Sequence, residues 1–156
     1  MTDKRFLLAA LALSLALVFT GCKSAGFGGR SSSSFVRISQ VTSPFDENIA
    51  GRTAYNVDGE EILILNKIDF NDDDFEKVEL HESDGDYYLS FTFTEDATLR
   101  FARYTEEHIG SRFALLADNK VLVHAVIVDP IPGGELYIPV EKEEGLYISS
   151  SFKSRK

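Results

Sequence analysis

The segment TEDATLRFARYTEEHIGSRFALLADNKVLVHAVIVDPIPGG, residues 94–134, carries the clearest folding signals of this sequence. It opens with Thr94 and two acids, which are residue types that cap a helix and occupy its first turn. We expect the helix to end near residue 109, because Gly110 suits the position that follows a helix C-terminus. The segment therefore predicts one main helix over residues 95–109.

One face of this helix is expected to be buried. Five side chains recur at the spacing of a helix face and should form one stripe: Ala97, Phe101, Tyr104, Thr105 and His108. Phe101 is the largest aromatic side chain near the centre of the stripe. Leu99 lies on the opposite side of the helix, and we expect it to be largely exposed.

After Gly110, two apolar runs are separated by a polar pair and predict a β-hairpin. Asp118 and Asn119 supply its tight turn, since Asn tolerates a positive φ better than most residues. We interpret this hairpin mainly as sheet core. Pro132 and Gly133 favour a type II turn, and residues 136–138 are expected to begin a last strand.

Upstream of the main helix, short strands are predicted over residues 61–65, 78–81 and 86–93, with a hairpin turn at residues 83–85. In the longest of these runs, apolar and polar residues alternate, so one face should be buried. An acidic cluster between the first two strands can cap free backbone amides, and it predicts a short second helix at about residues 71–76.

The N-terminus has the pattern of a secretory signal. Lys4 and Arg5 precede an apolar run over residues 6–19, which is shorter than the ~18 or more apolar residues of a membrane-spanning helix. Thr20 and Gly21, two small residues, lie directly before Cys22 and resemble a bacterial lipobox.

Cys22 is interpreted as a lipid anchor. The sequence contains one Cys, so an internal disulfide cannot form. In lipoproteins of this kind the signal is cut before the Cys, which carries the acyl chains that hold the protein at the membrane. We therefore predict a lipoprotein signal peptide at residues 1–21 and an interaction with the membrane through lipidated Cys22.

Residues 22–34 hold the anchor and a Gly/Ser-rich tether with a root-mean-square reach of ~20 Å. Residues 35–156 are then long enough for one domain with a single core. The expected location is the cell envelope, with this domain facing the periplasm or the extracellular side. Lys23 replaces the Asp that retains lipoproteins in the inner membrane, which permits outer-membrane sorting in a host that has an outer membrane.

The charge balance disfavours one class of partner. The formal net charge is −9 at pH 7, and such an acidic chain is a poor ligand for nucleic acid. We therefore expect no nucleic-acid partner.

Motifs for catalysis or cofactor binding are weak. The run Asp69, Asn71 and Asp73 resembles part of a calcium loop, but Asp74 stands where the loop needs Gly and Leu80 where it needs Glu. We interpret this run as a capped helix start. The three histidines do not have the spacing of metal ligands: His81, His108 and His124. We predict no catalytic residue, no cofactor and no metal.

A family resemblance adds to these patterns over residues 88–138. The residues that carry it are Leu89, Ser90, Phe91, Ala97, Phe101, Ala102, Thr105, Ile109, Gly110, Arg112, Ala114, Asp118, Ala125, Val126, Ile127, Pro130, Ile131, Gly133 and Gly134. With them the segment resembles the head subdomain of the first periplasmic domain of SecD, a subunit of the bacterial SecDF translocation factor. Residues 68–78 resemble the lead-in to that subdomain.

The resemblance implies an α+β domain over residues 35–156, with the main helix packed on an antiparallel sheet. In SecDF this head is thought to contact an emerging preprotein on the outer side of the membrane. The resemblance therefore implies a non-enzymatic protein- or peptide-binding module with a link to protein export, whose partner is unfolded or extended polypeptide.

Two other classes of function remain open at the level of sequence. The domain could be an enzyme or small-ligand-binding domain whose site is assembled only by the fold, or a structural component of the envelope. A cleft with converging polar groups would favour an enzyme, whereas an exposed apolar patch or an open strand edge would favour a polypeptide binder.

Overall fold

The computed structural model describes residues 34–43, 45 and 51–156. They lie in one compact unit, Ser32–Lys156. The elements, in chain order, are β1 (Val36–Thr42), β2 (Arg52–Val57), β3 (Glu60–Leu65), β4 (Phe75–Ser83), β5 (Asp86–Phe93), α1 (Glu95–Glu107), β6 (Arg112–Ala117), β7 (Lys120–Val126), β8 (Glu135–Pro139) and α2 (Lys142–Lys153).

The strands form two antiparallel sheets. The five-stranded sheet has the order β2-β3-β1-β6-β7, and the three-stranded sheet has the order β4-β5-β8. The fold is therefore broadly α+β, as predicted, but it has more strand than helix and two sheets in place of one. The prediction of a single sheet was wrong. The strand β1, which was not predicted, pairs with β6 and so places the predicted β6–β7 hairpin in the five-stranded sheet, separate from β4, β5 and β8.

The main core lies between the two sheets and the helices. The five-stranded sheet contributes Val36, Ile38, Phe113 and Leu115, whereas the three-stranded sheet contributes a further apolar set, all of them buried. The members of that set are Phe75, Val78, Leu89, Phe91, Phe93 and Ile138. The other face of the five-stranded sheet has a smaller buried cluster: Val41, Ile62, Ile64, Ala114 and Leu116.

Helix α1 closely follows its prediction. Thr94 caps it, since its hydroxyl oxygen accepts a hydrogen bond from the Ala97 amide at 3.3 Å. Ala97, Phe101 and Thr105 are buried, whereas Leu99 is 68% exposed. The helix ends at Glu107, two residues earlier than expected, because His108 already has a non-helical C-cap conformation.

The predicted short helix at residues 71–76 is a single 3₁₀ turn, Asp72–Asp74. Asn71 and Asp74 cap each other: the Asn71 side chain accepts from the Asp73 amide, and the Asp74 carboxylate accepts from the Asn71 amide, both at 2.8 Å. The turn cannot continue as a helix because the next residue, Phe75, is fully buried and begins β4.

The turn predictions have mixed outcomes. Asp118 and Asn119 have φ values of 48° and 60°, so the chain reverses where the sequence predicts a tight hairpin turn. The predicted type II turn at Pro132 and Gly133 is absent, since Gly133 does not have the positive φ that this turn needs. Two hydrogen bonds on either side of these residues hold the backbone instead. The Ile131 amide donates to the Thr105 hydroxyl, and the Gly134 carbonyl accepts from the Phe93 amide.

Helix α2 was not predicted. Its Ile148 and Phe152 are buried against the core beside the three-stranded sheet. Gly145 allows this packing, because a Cβ at that position would lie 2.4 Å from Leu80 Cδ1 and 3.1 Å from Val140 Cγ2.

Candidate functional site

The β6–β7 hairpin supplies an open sheet edge. Residues 113–117 of β6 are buried, whereas residues 121–125 of β7 are half-buried. β7 is the last strand of its sheet, and no other strand of the described ranges pairs with its outer side. Such an edge presents unpaired N–H and C=O groups, so it can accept a further extended chain.

The backbone hydrogen bonds show which residues of this edge face outward. The Ile127 amide donates to the Ser111 carbonyl at 2.9 Å, and the Ile127 carbonyl accepts from the Gly110 amide at 2.8 Å. The direction of these groups alternates along an antiparallel strand. Val126 and His124 therefore turn their N–H and C=O groups away from β6 and towards solvent.

Three exposed aliphatic side chains lie beside this edge, and we call them the β7 patch: Ile109, 54% exposed, Val126, 47%, and Val128, 73%. The bond between Gly110 and Ile127 holds the end of α1 next to the end of β7. In the part of the chain that the structure describes, β2, β4 and β8 have open edges but no large exposed aliphatic side chain. The β7 edge is thus distinguished from these three edges by its exposed aliphatic side chains, whereas exposed aromatic rings are found on β8 at Tyr137 and before β2 at Phe45.

The three-stranded sheet has an outer face that carries aromatic and charged side chains. Its apolar face packs on the core with both helices. The opposite face has three rows across β4, β5 and β8, namely His81, Tyr88 and Pro139; Glu79, Ser90 and Tyr137; and Lys77, Thr92 and Glu135. We call this set the aromatic face.

The rings of the aromatic face contact one another. His81 stacks on Tyr88 with ring centroids 5.1 Å apart, and its Nε2 lies 2.8 Å from Ser90 Oγ. Tyr137 meets Tyr88 at an angle of 65°, so these two rings form a corner and not a plane. The Tyr137 hydroxyl donates to Glu135, which lowers the pKa of the Glu135 carboxyl and raises the pKa of the tyrosine.

A groove with a volume of about 840 Å³ opens at one end of the aromatic face. It lies between the β2–β3 turn, the start of β5, the end of β8 and the start of α2. Its walls include two tyrosines and four carboxylates: Tyr87, Tyr88, Asp58, Asp86, Glu141 and Glu144. We call it the acidic groove.

A second groove, of about 460 Å³, is lined by the end of β1, the first residues of β3 and the loop before β6. Its charged side chains include Glu60 and Arg112, whose Oε1 and Nη1 atoms are 3.7 Å apart. This is an exposed ion pair, and the hydroxyl side chains of Thr42, Ser43 and Ser111 also line the groove.

The acids of the calcium-like run serve different structural partners. Asp72 accepts the Phe35 and Val36 amides at 2.8 and 2.6 Å and so holds the start of β1. Asp69 accepts a hydrogen bond from the Tyr104 hydroxyl at 3.2 Å. The interpretation of the run as a cap is therefore correct at Asn71, although it caps a 3₁₀ turn.

The predicted anchor, Cys22, lies outside the described residues, as do the signal peptide and almost all of the tether. Within residues 34–43, 45 and 51–156, no helix combines the length and apolarity that crossing a membrane requires.

The acidic groove was not predicted from the sequence. Asp58 comes from a turn, Asp86 from the start of β5 and Glu141 from the residue before α2, so they are far apart in sequence. The Asp58-Gly59 pair is a hairpin signal that could have placed Asp58 at a loop tip. Because α2 was not predicted, the positions of Glu141 and Glu144 could not be inferred.

Comparisons with known proteins agree on one family. The family model described as SecDF, P1 head subdomain, matches residues 47–144. The protein translocase subunit SecD of Acetobacter pasteurianus is 38% identical over 55 residues, which is 35% of this chain and 11% of that protein. The chain thus spans a small part of that relative.

Two solved structures have a similar fold. One is of SecDF, described as a membrane component that enhances protein export, with a TM-score of 0.50 and 27% identity over 55% of this chain and 40% of that one. The other is SecDF in a super-membrane-facing form, with a TM-score of 0.59 and 19% identity over 78% of this chain and 19% of that one. At 19% identity, the second likeness concerns the fold alone.

Proposed function

The chain belongs to the SecDF P1 head subdomain family, and on this premise we propose that it is a non-enzymatic envelope module that binds extended polypeptide during protein export. The relatives with this domain are components of protein translocation, and they are not a known family of enzymes. A module with this function needs a surface that can bind an unfolded polypeptide.

The β7 edge is the observation that carries the proposal. An extended segment can add to this edge as a further strand and bond to the outward N–H and C=O groups of His124 and Val126. The β7 patch lies beside those groups and would cover aliphatic side chains of the added segment. Main-chain bonding and apolar contact together suit a partner that has not yet folded.

This mode of binding also sets the expected affinity and selectivity. Main-chain hydrogen bonds are common to all sequences, so the preference among segments should be small. The partner loses conformational freedom when it becomes ordered, and this loss offsets much of the favourable contact. We therefore expect dissociation constants that are roughly micromolar or weaker.

Attachment to the membrane is the second part of the proposal. Lipidated Cys22 would hold the module at the membrane surface, and residues 23–34 would act as a tether with a reach of ~20 Å. The head would then remain close to the place where an exported chain emerges.

An NMR titration tests the binding mode. The probe is an uncharged heptapeptide of alternating serine and valine, added at up to millimolar concentration to ¹⁵N-labelled full-length protein in a non-ionic detergent. We expect amide shifts along β7 and in the β7 patch. Val126→Pro should abolish these shifts, because it removes an outward N–H. The hydrogen bonds between β6 and β7 should remain, since the Val126 N–H does not point towards β6.

Val126→Thr is the matched control, since it keeps the backbone donor and a β-branched side chain. Equal binding by the Pro and Thr variants, or no shift at millimolar peptide, would contradict strand addition at β7. A localised response to one small molecule would instead favour a ligand-binding domain.

A further inference from the structure

The aromatic face and the acidic groove share Tyr88, and neither takes part in the β7 edge. The groove, with a volume of about 840 Å³, is large enough to admit long side chains. Helices cover only the opposite face of the three-stranded sheet, so the aromatic face is an open, unpartnered sheet surface in the described structure. The side chains that line the groove and the aromatic face indicate which kind of ligand they would bind.

The groove is negative, but it is not built for a metal ion. Its lining carries four carboxylates and no Lys or Arg. In the described part of the chain, no three His, Cys, Asp or Glu side chains come close enough together to hold a metal ion. No three of the groove carboxylates therefore converge on one point, and they come from a turn, a strand start and a helix start, which suits cationic groups that are themselves spaced along a partner.

Two lysines of this chain already show how a cation fits these walls. The Lys142 ammonium lies 5.2 Å from the centre of the Tyr87 ring, a cation–π distance. The Lys120 ammonium lies 2.5 Å from a Glu144 carboxylate oxygen. Asp58, Asp86 and Glu141 make no ion pair with any residue that the structure describes, so three carboxylates of the groove remain available.

The shape of the aromatic face argues against a flat ligand. Tyr88 and Tyr137 meet at 65°, so they do not form the single plane on which a sugar ring or a base would stack across both. Two rings at such an angle next to Glu135 instead offer a corner for a cationic group. The net charge of −9 also favours a basic partner over an acidic one.

We propose that the acidic groove and the adjoining aromatic face bind Lys and Arg side chains of an extended polypeptide. This inference rests on the proposed function for the nature of the partner, but it uses a different sheet and different contacts. The β7 edge holds the backbone of a segment with little preference for sequence. The acidic groove adds a preference for segments in which basic side chains are closely spaced.

The test uses a probe that is too short to add a stable strand. The acetylated and amidated pentapeptide Gly-Arg-Gly-Arg-Gly, and the same peptide with Gln for Arg, are titrated into ¹⁵N-labelled full-length protein in a non-ionic detergent. We expect the Arg peptide to shift amides of Asp58, Asp86 to Tyr88 and Glu141 to Glu144. The Gln peptide should shift none of them, and added salt should weaken the binding.

Two charge-matched double variants decide whether the groove is responsible. Asp86→Asn with Glu141→Gln neutralises two exposed groove carboxylates, and we expect it to weaken the Arg peptide about fivefold. Glu106→Gln with Glu107→Gln removes the same charge from the exposed side of α1 and should leave the affinity unchanged. Since all four side chains are exposed, neither variant should affect folding.

Three outcomes would overturn the inference: equal weakening by both double variants, shifts confined to other surfaces, or no response to the Arg peptide at millimolar concentration. The Val126→Pro variant separates this inference from the proposed function. If the Val126→Pro variant no longer binds the uncharged heptapeptide but still binds the Arg peptide, the result supports both the proposed function and the groove inference. If the heptapeptide binds and the Arg peptide does not, only the groove inference fails.

Discussion

Thr105 is fully buried on α1, and its hydroxyl connects the helix to the loop before β8. The oxygen accepts a hydrogen bond from the Ile131 amide at 2.9 Å, while the O–H can donate to the Phe101 carbonyl at 3.0 Å. Gly134 lies further along the same loop, where a Cβ would come within 2.8 Å of Thr98 Oγ1. These two residues, which carry the family resemblance, thus fix the loop onto the helix.

Phe101 tests the predicted phase of α1. Its ring lies 5.3 Å from Phe70 and 4.7 Å from Phe93, measured between centroids, and it is fully buried. We expect Phe101→Ala to lower the free energy of unfolding by about 3–5 kcal/mol, because the cavity cannot fully collapse. Leu99→Ala is the control and should cost far less, since Leu99 is largely exposed. Equal losses in denaturant midpoint for the two variants would contradict the structure of the helix.

At the residue scale, the buried stripe of α1 could be predicted from the sequence, but the hydrogen-bond partners of acidic side chains such as Asp72 could not. Periodicity placed Ala97 and Phe101 in the core because it depends only on local geometry. Asp72 instead accepts the amides of Phe35 and Val36, which are 37 and 36 residues away along the chain. A local pattern does not contain such a long-range partner.

At the element scale, the two helices differ in how strongly their sequences mark them. α1 begins with a side-chain cap from Thr94, whereas α2 begins at Glu141 without one. α2 also contains Gly145 and three consecutive serines, which are poor helix formers. Its stability therefore comes from packing of Ile148 and Phe152 on the core, and the sequence does not show where that core will be.

Gly145 offers a test of this packing. Gly to Ala within a helix normally stabilises it by about 0.5–1 kcal/mol. Here the new Cβ would lie 2.4 Å from Leu80 Cδ1, so we expect Gly145→Ala to destabilise the protein by about 1–3 kcal/mol. Chemical denaturation measures this change.

The control for that measurement is the double variant that combines Gly145→Ala with Leu80→Ala. Leu80→Ala removes the closest contact, so in this background Gly145→Ala should cost clearly less, although the new Cβ would still lie 3.1 Å from Val140 Cγ2. If Gly145→Ala lowers stability equally with and without Leu80, the cost does not arise from contact between α2 and β4.

At the scale of the whole molecule, the class of fold was predictable but the arrangement of sheets was not. The hairpins at Asp84 and Asp118 follow from local turn chemistry, and both have positive φ as expected of tight turns. The pairing of β1 with β6 joins residues more than 70 positions apart, and it divides the strands into two sheets. The acidic groove depends on this division, which explains why sequence patterns did not reveal it.

The predicted anchor, if present, would determine where the whole molecule acts. Cys22→Ser should leave the chain without fatty-acid labelling and with residues 1–21 uncut, because acylation of the Cys precedes cleavage in lipoproteins. Metabolic labelling with a fatty-acid analogue, together with the intact mass, measures both effects. Ser32→Ala, in the predicted tether, should be labelled like the parent protein. Normal labelling of Cys22→Ser would end the lipoprotein interpretation.

The most direct test of the central claim, that the β7 edge contacts polypeptide in export, is site-specific photocrosslinking in living cells. A photoreactive amino acid replaces Val128 in the β7 patch or, as the control, Leu99 on α1; both side chains are well exposed. The cells produce an exported polypeptide of known sequence that is stalled during translocation. We predict that position 128 crosslinks to the stalled chain and that position 99 does not. Equal crosslinking from both positions, or none from position 128 while the stalled chain is present, would contradict the claim.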